Sequence, residues 1–178
     1  MALKRLLALG GVALFFFGCG KTERVAVKKS SPVVKVIYYY PDAPKVVNKE
    51  KVLRLVNLAR SQGRYCGGKY YPPAPPVRWN STLERAAKIH AEDMSRHDFL
   101  SHRGSDGSDV GDRLDRLGYN WKICGENVAK GYSTEEEVVE GWLKSPEHCA
   151  NVMESRFKEM GVATSGKYWV QVFASPQR

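Results

Sequence analysis

Cysteine and histidine are scarce in this chain, four of each among 178 residues. Four cysteines are too few for a disulfide-dense miniprotein, so stability has to come mainly from a hydrophobic core. Hydrophobic residues at 43% and charged residues at 26% supply the material for one and exclude wholesale disorder. The apolar run Leu6 to Phe17 is too short to span a bilayer: twelve residues rise about 18 Å as a helix, against a hydrocarbon core of roughly 30 Å. The HExxH signature of a zinc-binding helix is missing. Gly67-Gly68 has neither a preceding strand nor a following Lys-Ser/Thr, which excludes a phosphate loop. Acidic residues are also few, 19 against 28 basic ones, for a net charge of +9. That excess is no nucleic-acid face: Lys4 and Arg5 carry +2, residues 20–47 carry +4, and residues 48–178, with 20 basic and 17 acidic, keep only +3. The basic-aromatic stretch Lys69-Tyr70-Tyr71 is too short to argue for nucleic acid as a partner.

The N-terminus reads as an address. Lys4 and Arg5 before a short apolar run make a secretory signal over residues 1–18. Phe16-Phe17-Gly18-Cys19 resembles a bacterial lipobox, which implies cleavage before Cys19 and a diacylglycerol on its sulfur. Gly20 at the next position favours the outer membrane, by analogy with lipoprotein sorting. Residues 19–47 hold three prolines, mixed charge and no sustained helical period, as a tether does. Within them Val33 to Tyr40 reads either as an edge strand or as an exposed apolar patch.

Residues 48–178 carry the periodicities of a folded domain. Asn48 caps an expected helix to about Gln62, with Val52, Leu55, Val56 and Ala59 on one face. Four prolines between Pro72 and Pro76 forbid a helix or a central strand there. Ser81-Thr82-Leu83-Glu84 is a capping-box pattern opening a second helix, with Leu83, Ala86, Ala87, His90 and Met94 inward. Ser108 or Asp109 starts a short helix closed by Gly118, and Cys124 to Ala129 reads as a short strand. Ser133-Thr134-Glu135-Glu136 opens another helix, and Ser145-Pro146 places a cap and an N1 proline on the next. Met160 to Thr164 and Lys167 to Ala174 form an expected hairpin around Ser165-Gly166. Helices and strands mix without βαβ repeats, which predicts an α+β fold with a mostly antiparallel sheet.

The order of the motifs adds a resemblance. Leu58-Ala59-Arg60, Leu83 through Met94, Phe99-Leu100-Ser101-His102, Gly125-Glu126-Asn127-Val128-Ala129, Trp142 to His148, Asn151-Val152-Met153, and Met160-Gly161-Val162-Ala163 before Tyr168 to Phe173 follow one another in a fixed series. Together they resemble a bacterial member of the CAP superfamily (cysteine-rich secretory proteins, antigen 5 and pathogenesis-related 1 proteins), the SCP domain, over roughly residues 48–178. The resemblance implies a three-layer α-β-α sandwich, an extracytoplasmic location, and a cavity lined by two histidines and two glutamates that holds divalent metal in some members. Carried over, His102 and His148 match the histidines and Glu126 one glutamate. Ser145 stands where the second glutamate belongs, and Glu147 stands where bacterial members usually have glycine. His102, Glu126 and His148 are thus the candidate metal ligands, with Ser145 and Glu147 as candidate cavity residues. Zinc, or another divalent cation, is the expected ion, because imidazole with one carboxylate suits it.

Three cysteines remain after lipidation. An oxidising compartment favours one disulfide and leaves one thiol over. The resemblance implies Cys66–Cys149, with Cys124 the extra one and Cys124–Cys149 the competing pair. Catalysis has two weak footholds. Cys149 adjoins His148, but consecutive helical residues point apart. Ser145 lies three residues before His148, where a Ser145–His148–Glu126 relay is conceivable, but a cap on the helix started by Pro146 fits its sequence context fully, and no oxyanion-hole loop is identifiable. His90 reads as a core histidine and His97 as a surface one. The expectation is a lipid-anchored binding module of the cell envelope, at the outer membrane or cell surface, whose His/Glu cavity takes a divalent metal and a small or envelope-derived ligand. Its rival is a metal-assisted or Ser-based hydrolase of envelope material.

Overall fold

The computed structural model describes residues 46–177. The signal peptide, Cys19, Val33 to Tyr40 and nearly all of the tether lie outside the described residues. Val47 is already packed into the core, next to the cap of the first helix.

In chain order the elements are α1 (Lys49–Gln62), β1 (Arg64–Cys66), β2 (Lys69–Tyr71), β3 (Arg78–Trp79), α2 (Ser81–His97), α3 (Val110–Arg116), β4 (Trp121–Lys130), α4 (Glu135–Lys144), α5 (Pro146–Met153), β5 (Glu159–Ser165) and β6 (Tyr168–Pro176). β3, β5, β6 and β4 lie side by side in that order. The short β3 runs parallel to β5 and the other pairs are antiparallel. β1 and β2 form a separate small hairpin.

The α+β sandwich expected from the sequence follows from how the sheet is covered. Trp169 and Phe173 of β6, with Met160 and Val162 of β5, pack against Val52 and Val56 of α1, Val138 and Trp142 of α4, and Val152 of α5. The alternate residues Tyr168, Val170 and Val172 pack on the opposite face with Leu83, Ala87 and Met94 of α2 and Leu114 of α3. Side chains alternate across a strand, so covering both faces buries every position of β6 from Tyr168 to Ser175. Tyr168 and Trp169 are both core. α2 approaches the sheet closely at Gly161, where a Cβ would collide with the backbone of Leu83 and Glu84.

Three caps differ from the expected pattern. The N-cap of α2 is Asn80, whose side chain accepts from the Thr82 and Leu83 amides; Ser81 is the first helical residue. Glu84 is thereby free of a capping box and binds Trp79 Nε1 and Lys49 instead. Asn80 is the better anchored cap, since its amide group also donates to Glu159 and its backbone N–H to Met160. In α4 the box is formed by Thr134 and Glu137, one residue later than Ser133. Ser145 sits at the N-cap of α5 and Pro146 at N1, but the serine side chain makes no capping bond. α3 is capped by the second of its two expected starts, Asp109, in a box with Asp112.

The Cys66–Cys149 bridge implied by the resemblance is the one formed, joining β1 to α5 with Cα atoms 5.4 Å apart, and among the described residues Cys124 is the free thiol. Arg60, fully buried on α1, donates to the carbonyls of Pro75 (2.8 Å), Val152 (2.7 Å), Glu154 (3.0 Å) and Phe157 (3.3 Å). It satisfies carbonyls at the end of α5 and just beyond, which have no partner within the helix. Burial lowers its pKa to about 10.

Candidate functional site

The bridge fastens α5 at its middle, through Cys149, and the Arg60 clamp holds its C-terminal end. A chain of amides holds its middle against β4: Asn127 Nδ2 donates to the His148 carbonyl (3.2 Å) and to Gln171 Oε1 (2.9 Å), while Asn151 Nδ2 donates to the Glu126 carbonyl and to Asn127 Oδ1, both at 3.0 Å. Asn127 and Gln171 are fully buried. Buried amides need partners, and these partners fix where His148 leaves the helix relative to Glu126.

Glu126 lies in the middle of β4 with its side chain 2% exposed, and both carboxylate oxygens are occupied. Arg113 Nη2 of α3 donates to Oε2 at 2.7 Å, and His102 Nδ1 lies 2.9 Å from Oε1. An ionised carboxylate only accepts, so His102 carries its proton on Nδ1 and the neutral ring keeps its lone pair on Nε2. Arg113 also binds the Ser108 carbonyl (2.9 Å) and the His102 carbonyl (3.3 Å), so one guanidinium holds the carboxylate and the backbone of the loop carrying His102. His90 Nε2 stands 3.9 Å from Glu126 Oε1 and donates to the Ser101 carbonyl at 2.7 Å, making it the core histidine its position on α2 suggested. Burial lowers its pKa. His97 is a surface residue paired with Asp93.

His102 and His148 are shifted in opposite directions. The hydrogen bond to Glu126 raises the pKa of His102, whose side chain is 59% exposed. Desolvation lowers that of the half-buried His148, and the positive charge of His102 adds to the effect. Glu147, exposed in the first turn of α5, acts weakly on both and favours the charged form of each. Ser145 is half-buried at the end of α4, and among the described residues no hydrogen bond links it to His148 or Glu126.

This donor set tests the expected metal site. Among the described residues no three His, Cys, Asp or Glu side chains are grouped to hold an ion. Glu126 is oriented inward by Arg113 and serves a histidine. The chemistry fits a site of two imidazoles in which a carboxylate orients one ring from behind, an arrangement common behind metal-binding histidines. The cavity adjoining the cluster, about 250 Å³, is lined by His90 and Arg113 together with Asp93, Ser105 and Asp106, and not by His102 or His148. Sequence reasoning missed Arg113, Asn127, Asn151 and Gln171. Asn127 and Asn151 lay within quoted motifs but had no role assigned, and Arg113 carried no local signal.

Residues 53–173 match the family model described as the cysteine-rich secretory protein family, CAP. Among curated proteins, the uncharacterized protein YkwD of Bacillus subtilis is 32% identical over 128 residues, 70% of this chain and 46% of its own length. Among solved structures, an extracellular protein containing a SCP domain from Bacillus anthracis superposes with a TM-score of 0.63 at 27% identity, covering 70% of this chain and 39% of that one. An outer surface protein from Borrelia burgdorferi, at 15% identity, shares the fold, with a TM-score of 0.56 over 75% of this chain and 99% of its own. This chain thus spans less than half the length of the two Bacillus proteins.

Proposed function

The chain belongs to the cysteine-rich secretory protein (CAP) family, and from that premise we propose that it is a binding module of the bacterial cell envelope, anchored by a lipid on Cys19. Its ligand is met by the imidazoles of His102 and His148, with Ser145 and Glu147 at the margin. The observation that carries this reading is the occupied state of Glu126. A carboxylate bound by Arg113 and His102 has no oxygen directed at a substrate, and it keeps Nε2 of His102 available to a ligand. Its role is therefore to orient, which serves binding. The hydrolase reading gains no support from its own candidates: among the described residues no hydrogen bond joins Ser145 to His148 or Glu126, and Cys149 is in a disulfide.

A divalent ion belongs to this proposal as a weakly held partner. His102 and His148 would hold it, Glu126 would orient His102, and the ion would leave open positions for an oxygen of water or of an envelope-derived ligand. Zinc suits the imidazoles. Titration of zinc into the metal-free protein at neutral pH, followed by calorimetry, is expected to give weak saturable binding that disappears in a His102→Ala, His148→Ala double variant. Unchanged binding in that variant would remove the metal from these residues. For the anchor, Cys19→Ser is expected to shift the protein out of the detergent phase, and identical partitioning of variant and wild type would refute lipidation.

A further inference from the structure

A second cavity, of about 860 Å³, opens at the end of the four-stranded sheet where β3, β4 and β5 begin and β6 ends. Its wall carries Arg78, Lys122, Arg156 and Lys158 against a single carboxylate, Glu159. That carboxylate is already engaged, accepting from Asn80 Nδ2 at 2.8 Å and Tyr119 OH at 2.7 Å. Arg156 is paired with Glu154. Among the described residues no carboxylate forms an ion pair with Arg78, Lys122 or Lys158. The net charge of residues 48–178 is only +3; with Arg156 and Glu154 cancelling, Arg78, Lys122 and Lys158 against Glu159 leave a local excess of +2 around this one concavity.

The three cations stand on a rigid frame. The Arg78 amide donates to the Lys158 carbonyl at 2.9 Å, the Lys158 amide to the Ala174 carbonyl at 3.0 Å, and the Gln177 amide to the Asn120 carbonyl at 2.9 Å. Lys122 enters from β4 where the ladder to β6 is irregular, between Trp121 and Ile123. Like charges carried by neighbouring segments around one concavity repel one another, and a low-dielectric wall focuses their field into the cavity. A multiply charged anion relieves that repulsion. The donors are a guanidinium, two ammonium groups and the neutral polar side chains of Ser155 and Gln177, a set suited to a tetrahedral oxyanion.

We propose that this cavity is an oxyanion site for a phosphate-bearing ligand, separate from the histidine pair. The space is that of a whole small-molecule pocket and exceeds a single inorganic phosphate, so the phosphate is carried on a larger ligand or is one of several linked together. The two sources of such chemistry are a free polyphosphorylated molecule and the head group of an anionic lipid.

The test uses the full-length protein and two soluble probes, inorganic triphosphate and glycerophosphoglycerol, titrated by calorimetry at low salt. Saturable binding of at least one probe is expected, weakening steeply as salt is raised. Lys122→Gln with Lys158→Gln is expected to weaken it at least tenfold, and Arg78→Gln alone by a smaller factor. These side chains are exposed and their backbone bonds are untouched; an unchanged denaturant midpoint confirms that the variants fold. Lys88→Gln with Lys144→Gln removes the same net charge from exposed helix positions and is expected to leave binding within twofold. Triphosphate bound more tightly assigns the free-ligand source, and glycerophosphoglycerol bound as tightly or better assigns the lipid head group. Absence of binding by both probes, or equal loss in the control pair, would overturn the proposal.

Discussion

Glu126→Gln isolates the charge at the centre of the histidine cluster while keeping its shape. Arg113 and Glu126 are 3% and 2% exposed at the side chain, and 2.7 Å separates their bonded atoms. Removing one partner of such a pair leaves an uncompensated buried charge and costs about 3–5 kcal/mol. Glutamine retains an oxygen that can still accept from Arg113, so the lower end applies, about 3 kcal/mol, or more than a hundredfold in the folding equilibrium. With a urea dependence of roughly 2 kcal/mol/M the midpoint falls by about 1.5 M. Replacing Arg113 by Met in the same background should restore part of the loss, because the stranded cation is then gone. The second readout is His102. Its folded pKa lies above the ordinary histidine value because Nδ1–H donates to the carboxylate. The stabilisation this gives is fully present below the unfolded pKa near 6.5 and is lost as pH rises through the raised folded value. In Glu126→Gln the midpoint, followed by imidazole NMR, should fall. The glutamine amide also favours the tautomer with its proton on Nε2, which would abolish zinc binding. A stability loss under about 1 kcal/mol together with an unmoved His102 midpoint would refute the claim that this carboxylate organises the site.

The remaining predictions concern the frame. Reducing Cys66–Cys149, which closes a sequence separation of 83, should cost about 4–5 kcal/mol in chain entropy, read as a lower denaturant midpoint in the presence of reductant. The Cys124 thiol is pushed up to about 11 by burial, with Asp109, Asp115 and Glu126 adding to the effect, so alkylation at pH 8 should be slow until the protein is unfolded. Gly161→Ala places a methyl group against backbone that cannot rotate away, and it should cost about 3 kcal/mol or more in denaturant unfolding. Ser145→Ala should change stability by less than about 0.5 kcal/mol, since the cap position makes no side-chain bond; a loss above about 1 kcal/mol would restore the capping role.

Much of this fold is legible in residue order, because helices and strands announce themselves through local periods. The 3.6-residue spacing of Val52, Leu55, Val56 and Ala59, the N1 proline at Pro146 and the turn at Ser165-Gly166 each rest on neighbours a few positions away. The CAP resemblance, built from motifs in series, carried the layer arrangement and the pairing of Cys66 with Cys149. Local rules stopped where two residues competed for one job. Asn80 displaced Ser81 as a cap because Glu159, nearly eighty positions on, anchors it. The tertiary structure alone decided what Glu126 does. Its sequence context marks it as a candidate ligand, yet its oxygens are claimed by Arg113 on α3 and His102 in a loop, groups with no sequence relation to it. Likewise Arg60 has the composition of a surface residue and the position of a core clamp, because four carbonyls from distant segments converge on it. The basic cavity is spread over β3, β4 and the segment before β5, so its charge is invisible as a run in the sequence. A charge or a donor is written in one residue, but its partner is chosen by packing, and packing brings together groups whose separation along the chain carries no signal.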